Sequence, residues 1–96
     1  MHAYIQDVPI GEELYAKIRA NLGTAPIPGL LLHLVVRRDG GLLRYIDVWE
    51  SEAACNAAFE THIHPAVAAA FREARFRPPG GEPPRTPLEV VELVQR

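Results

Sequence analysis

Side chains alternate between His2 and Val8: Ala3 and Ile5 fall on one face, Tyr4 and Gln6 on the other, as the two-residue period of a strand requires. Pro9 and Gly11 end this strand. From Glu12 to Leu22 the spacing lengthens, with Leu14, Ile18 and Leu22 forming one stripe and Tyr15 beside it. That spacing predicts a helix. Glu12 and Glu13 sit in its first turn, where the helix dipole favours acids, and Gly23 is placed to cap its end. The segment Thr24–Gly29 carries Pro26 and Pro28 and reads as a stiff connector.

Leu30 to Arg38 and Leu42 to Glu50 read as a second and third strand around the turn Asp39-Gly40-Gly41. Loop length sets their register. A two-residue turn would pair even with odd positions and mix aliphatic with polar side chains on both faces. A three-residue loop, with Gly41 left-handed, pairs odd with odd and keeps the two sets apart, so it is the one expected. It places His33 across from Asp47, Val35 across from Tyr45 and Leu31 across from Trp49. The aliphatic face (Leu30, Leu32, Leu34, Val36, Ile46, Val48) is expected beneath the helices. Tyr45, Asp47 and Trp49 then share the other face, a poor hydrocarbon core but a fitting wall for a semi-polar cavity.

Ser51 is the N-cap of a second helix, with Glu52 in its first turn and Ala54, Cys55, Ala58 and Phe59 turned inward. Pro65 removes a backbone donor, so a bend is expected there before a further helical stretch through Val67, Phe71 and Ala74. The proline-rich run Pro78–Pro87 reads as an extended loop, and Leu88–Val94 as the last strand. The order is β-α-β-β-α-β, which predicts one α+β domain over residues 1–96. Its form is a ferredoxin-like sandwich with a four-stranded antiparallel sheet and helices on one face. Tyr4, Leu31, Val35, Tyr45, Trp49 and Val90 would then stand uncovered, too much apolar surface to leave in water. A second copy of the sheet is the simplest cover, so a homodimer is expected.

Composition narrows the function. A formal net charge of −2 leaves no electrostatic footprint for nucleic acid or an anionic membrane. No apolar run approaches the ~20 residues of a membrane helix, and no leader peptide is visible. A lone cysteine, Cys55, cannot close an internal disulfide and fits a reducing compartment, so a cytoplasmic location is expected. The remaining partner class is a small molecule.

With these elements in place the chain resembles the dimeric α/β-barrel superfamily, and most closely its antibiotic biosynthesis monooxygenase family. The matching stretches are Pro28-Gly29 before the second strand, Ile46-Asp47-Val48-Trp49-Glu50-Ser51-Glu52-Ala53, and the helix running to Thr61-His62-Ile63-His64-Pro65. Asp47, Trp49 and His62 or His64 are the positions that carry over. The resemblance implies a dimeric barrel fold and a cavity for an aromatic or polyketide-like substrate. The haem-degrading branch of that fold uses an asparagine on the first strand and a tryptophan and histidine on the second helix. Here the first strand has no asparagine, and Ala58 and Ala68 stand near the helical positions, so haem is not expected. The branch that oxidises quinols works without metal or flavin, and the resemblance accordingly implies no cofactor.

His33 facing Asp47 is the candidate catalytic pair: a carboxylate beside an imidazole fixes its tautomer and makes it a base. The plainer reading is a structural cross-strand hydrogen bond. Tyr4, Gln6, Tyr45 and Trp49 are candidate substrate-binding residues, with His62 or His64 closing the pocket. His62 and His64 are two apart, point away from each other on a helix and lack a third ligand nearby, so no metal site is expected. The expected activity is a cofactor-independent monooxygenase. A non-catalytic small-molecule binder or accessory protein, and an isomerase or lyase using the same base, are the alternatives on this fold.

Overall fold

The computed structural model describes residues 1–95. Strand β1 (His2–Asp7) leads to helix α1 (Glu12–Leu22), the hairpin β2 (Leu30–Arg37) and β3 (Leu43–Trp49), helices α2 (Glu52–Ala58) and α3 (His64–Ala74), and strand β4 (Arg85–Leu88). The strands pair antiparallel in the order β2-β3-β1-β4. This is the ferredoxin-like α+β arrangement that the element order predicts.

The hairpin closes through the three-residue loop. Arg38 N–H donates to the Leu42 carbonyl at 2.7 Å and Gly41 N–H to the Arg38 carbonyl at 3.1 Å, with Gly40 and Gly41 at φ of 88° and 85°. Odd residues therefore meet odd ones: Val35 faces Tyr45 and His33 faces Asp47. The register departs from expectation at one point. A bulge at Leu31 brings Leu30, not Leu31, opposite Trp49.

Ser51 accepts from Ala54 N–H at 3.0 Å and starts α2. Between α2 and α3 the chain widens into a π turn over Phe59–Ile63, where His64 N–H reaches back to the Phe59 carbonyl. Pro65 sits in the first turn of α3, where its missing N–H costs least. The expected break is thus a wide turn inside one continuous helical run.

Two expectations are corrected. The helices cover the face carrying Tyr45, Asp47 and Trp49, while Ile46 and Val48 lie on the opposite, outer face. Tyr4, Trp49, Cys55, Ala58 and Phe59 form one core cluster, against which Leu30 packs. Val8, Ile10, Ile18, Leu43 and Ala70 form the other, joined by Tyr15, Val35 and Tyr45. Fully burying an aliphatic side chain such as Ile18 or Leu43 contributes about 1.5–3 kcal/mol. The outer face instead carries Leu32, Leu34 and Leu88, all exposed. The last strand also begins earlier than expected, at Arg85, and ends at Leu88. Pro87 is tolerated because β4 is an edge strand with an open side for its missing donor. The chain then leaves the sheet and reaches the far edge, where Gln95 donates to the Leu31 carbonyl at 3.2 Å.

Candidate active site

A cavity of about 370 Å³ opens between the sheet and the helices. That is within the range of small-molecule sites. Its floor is the inward strand face: Gln6, His33, Tyr45, Asp47 and Trp49. Tyr15, Ile18, Arg19 and Leu22 close one side, brought together by the three- and four-residue spacing of α1. Phe59, Ile63, His64, Val67 and Phe71 close the other, and Gly81, Glu82 and Pro83 of the α3–β4 loop cover part of the mouth. Hydrocarbon dominates this lining; the floor carries Gln6, His33, Tyr45 and Asp47, and Arg19, His64 and Glu82 add polar groups at the sides and mouth.

The polar floor is organised around His33. Its Nδ1 lies 2.5 Å from Asp47 Oδ1 and its Nε2 2.8 Å from the Tyr15 hydroxyl. The Asp47 side chain is 6% exposed and that of His33 29%, so the carboxylate is sealed beneath while the imidazole reaches the cavity. A carboxylate accepts only, so the Nδ1–H proton points to Asp47 and Nε2 is left with its lone pair. Tyr15 then donates to Nε2. Burial raises the Tyr15 hydroxyl above its ordinary pKa, with nearby Arg19 opposing and Asp47 adding to the rise. Burial likewise raises Tyr45, with Tyr15 and Asp47 adding to it. Both phenols therefore stay protonated donors around neutral pH. The Tyr45 ring stands edge-on to His33, 5.3 Å between centroids.

Of the residues singled out from sequence, His33, Asp47, Gln6, Tyr45, Trp49 and His64 line the cavity. Gln6 also donates to the Pro83 carbonyl at 2.9 Å, tying the covering loop to β1. His64 packs its ring against Phe59 and turns Nε2 toward Glu82 at 3.3 Å. Tyr4 lies beneath the wall, its hydroxyl accepting from the Trp49 indole N–H at 3.1 Å. His62 points to a separate shallow groove between α1 and α3, with Asn21 and Thr61. The wide turn before His64 separates these two histidines. Tyr15 is the site residue that sequence reading left in a packing stripe. Its signal was a hydroxyl on the sheet-facing side of α1. Among the described residues, no group of three or more His, Cys, Asp or Glu is placed to hold a metal ion.

No family model matches the sequence, and no curated protein matches it. Solved structures do. A crystal structure assigned as an antibiotic biosynthesis monooxygenase from Chloroflexus aurantiacus J-10-fl superposes with a TM-score of 0.63 at 19% identity, covering 98% of each chain. A variant of MhuD, crystallised with two manganese protoporphyrin IX molecules per active site, superposes with a TM-score of 0.59 at 22% identity. That likeness covers 99% of this chain and 97% of the other. At these identities the likeness establishes the fold alone, the ferredoxin-like α+β arrangement shared with these two structures.

Proposed function

We propose that the protein is a cofactor-independent monooxygenase acting on an aromatic or polyketide-like molecule. The observation that carries this reading is the Asp47–His33 pair on the floor of a largely apolar cavity. An imidazole whose Nδ1–H is held by a carboxylate can take a proton from a phenol or enol, and it becomes an imidazolium beside the same carboxylate. The hydrocarbon walls exclude water around the resulting anion. Oxygen then reacts with the electron-rich ring system: a methylene activated by the anion becomes a carbonyl, one oxygen atom entering the product and the other leaving as water. His33 acts as base, Asp47 orients it, and Tyr45, Trp49 and Gln6 shape the pocket.

A porphyrin iron needs an available axial ligand. Both nitrogens of His33 are engaged, and His64, the other imidazole on the wall, turns its Nε2 to Glu82. His33 is therefore not free to serve as that ligand, and no step of the reaction runs through such a group.

The functional unit in this reading is a homodimer closed through the outer sheet face. Of the seven exposed large hydrophobic residues among those described, Leu32, Leu34, Leu88, Val91 and Val94 lie on that face or on the tail after β4. Apolar side chains left exposed at both edges of one face favour a covering partner. The test of function is oxygen uptake against a panel of hydroxyanthrones and quinols. Uptake that depends on His33 supports the oxygenase. Saturable binding without uptake by any of the panel would instead make the protein a small-molecule binder.

A further inference from the structure

We propose that Tyr15 is the group that meets the ligand. It passes a proton from an acidic hydroxyl on that ligand to His33, and the cavity accordingly selects aromatic molecules bearing such a hydroxyl. This deepens, and rests on, the general-base reading above. The lone pair of His33 Nε2 is directed not at empty cavity but at the Tyr15 hydroxyl, 2.8 Å away. A ligand can reach His33 directly only by displacing Tyr15. Two contacts oppose that displacement. The Tyr15 ring stacks over His33 at 6.2 Å and 23°, and it packs against Tyr45 at 5.7 Å.

A phenol oxygen that donates its one proton to an imidazole still has lone pairs to accept with. Tyr15 lines the cavity, so a hydroxyl donor on a ligand finds a partner there. The proton movement balances without any further reagent. The ligand O–H bond breaks as a new O–H bond forms on Tyr15. The original Tyr15 proton passes to His33 Nε2, leaving a ligand anion, a neutral tyrosine and an imidazolium beside Asp47. Tyrosinate is never left standing, which suits a phenol that burial holds protonated.

The probes are 2-naphthol and 2-methoxynaphthalene, which share a ring system and differ in the donor. Calorimetry on the wild-type protein should show 2-naphthol binding roughly tenfold tighter, the usual scale for one hydrogen bond to an otherwise unpaired acceptor. Equal affinities overturn the proposal, whether or not any variant folds. Tyr15→Phe opens His33 Nε2 as a second acceptor, so it is read in the His33→Ala background: the preference should persist in His33→Ala and be abolished in His33→Ala/Tyr15→Phe, and any other pattern overturns the proposal as well. Oxygen uptake with a hydroxyanthrone is read alongside. Turnover lost in His33→Ala but untouched in Tyr15→Phe overturns the relay and leaves the base reading standing. No uptake at all, with the naphthol preference kept in His33→Ala and lost on adding Tyr15→Phe, removes the oxygenase reading and supports the hydroxyl contact. Where turnover occurs, its rate in H₂O/D₂O mixtures should follow a bowed curve in the wild type, for two moving protons, and a straight line in Tyr15→Phe.

Discussion

The Trp49 indole donates to the Tyr4 hydroxyl at 3.1 Å, and each of these residues is only 1% exposed. The pair joins β3 to β1 directly beneath the cavity floor, in the cluster that also holds Cys55 and Phe59. Burial, with the nearby Asp47 charge adding to it, pushes the Tyr4 hydroxyl far above its ordinary pKa. It therefore serves as a neutral acceptor for the indole. Tyr4→Phe removes that acceptor while preserving the ring, leaving a buried N–H unpaired. The expected loss is about 1–3 kcal/mol in urea unfolding. A loss near zero would show that the hydrogen bond contributes nothing net to the fold.

The outer face yields the second prediction. Leu34, 45% exposed, lies across from Ile46 on the outer side of the edge strand β2. If a second copy covers it, Leu34→Arg places an unpaired charge in the interface, at a rough cost of several kcal/mol to association. Light scattering at micromolar concentration should give a dimer mass for the wild-type protein and a monomer mass for Leu34→Arg. A wild-type monomer at that concentration would remove the dimer from the reading.

That same face explains which parts of the structure were legible in the sequence. The parity of Tyr45, Asp47 and Trp49 and the glycines of the hairpin are local, and together they fix which residues share a face and that His33 meets Asp47. Which face the helices choose is not a matter of hydrocarbon content, because both faces are apolar enough to be buried. The handedness of the β1–α1–β2 connection decides it. Reading the more aliphatic face as core therefore reversed the sides, although the polar set still came together. Tyr15 escaped for a related reason: helical spacing turns it toward the sheet, but only the docking of α1 brings its hydroxyl to His33. Pro87 argued against a strand at Arg85–Leu88, an objection that holds for a central strand and not for an edge.

The loop over the cavity mouth gives a pH-dependent prediction. Glu82 accepts from Arg85 at 2.8 Å and lies 3.3 Å from His64 Nε2. Partial burial alone would raise its carboxyl, but hydrogen bonds and charge from Arg85 and His64 outweigh it and hold the group below its ordinary value. A carboxyl lowered on folding contributes stability that is present above its unfolded pKa and lost as pH falls through the folded one. The loop should therefore loosen on acidification, beginning below about pH 4–5. The Gly80 and Gly81 amide resonances should report that transition. In Glu82→Gln the transition at these two amides should be absent. Asp7, also held low by Arg44, titrates on β1 and should leave the two glycines unmoved. An identical acid transition at Gly80 and Gly81 in the variant would detach the loop from this ion pair.

The catalytic pair supplies the last prediction. His33 is the imidazole that the base role requires, and its side chain reaches the cavity rather than the core, so His33→Ala should leave the fold intact. It should lower oxygen uptake by on the order of 10²–10⁴, the usual contribution of a general base. Asp47 acts through His33 by holding the Nδ1–H proton and stabilising the imidazolium, so Asp47→Asn should cost less and act differently. The amide cannot stabilise the imidazolium by charge, so turnover should fall through kcat with KM little changed. A structural role for Asp47 would instead change unfolding without a selective loss of kcat. Restoring the carboxylate at a longer reach, Asp47→Glu, should recover kcat in part if the charge is what matters. A folded His33→Ala protein with full turnover on an identified substrate would end the assignment of this pair as the catalytic centre.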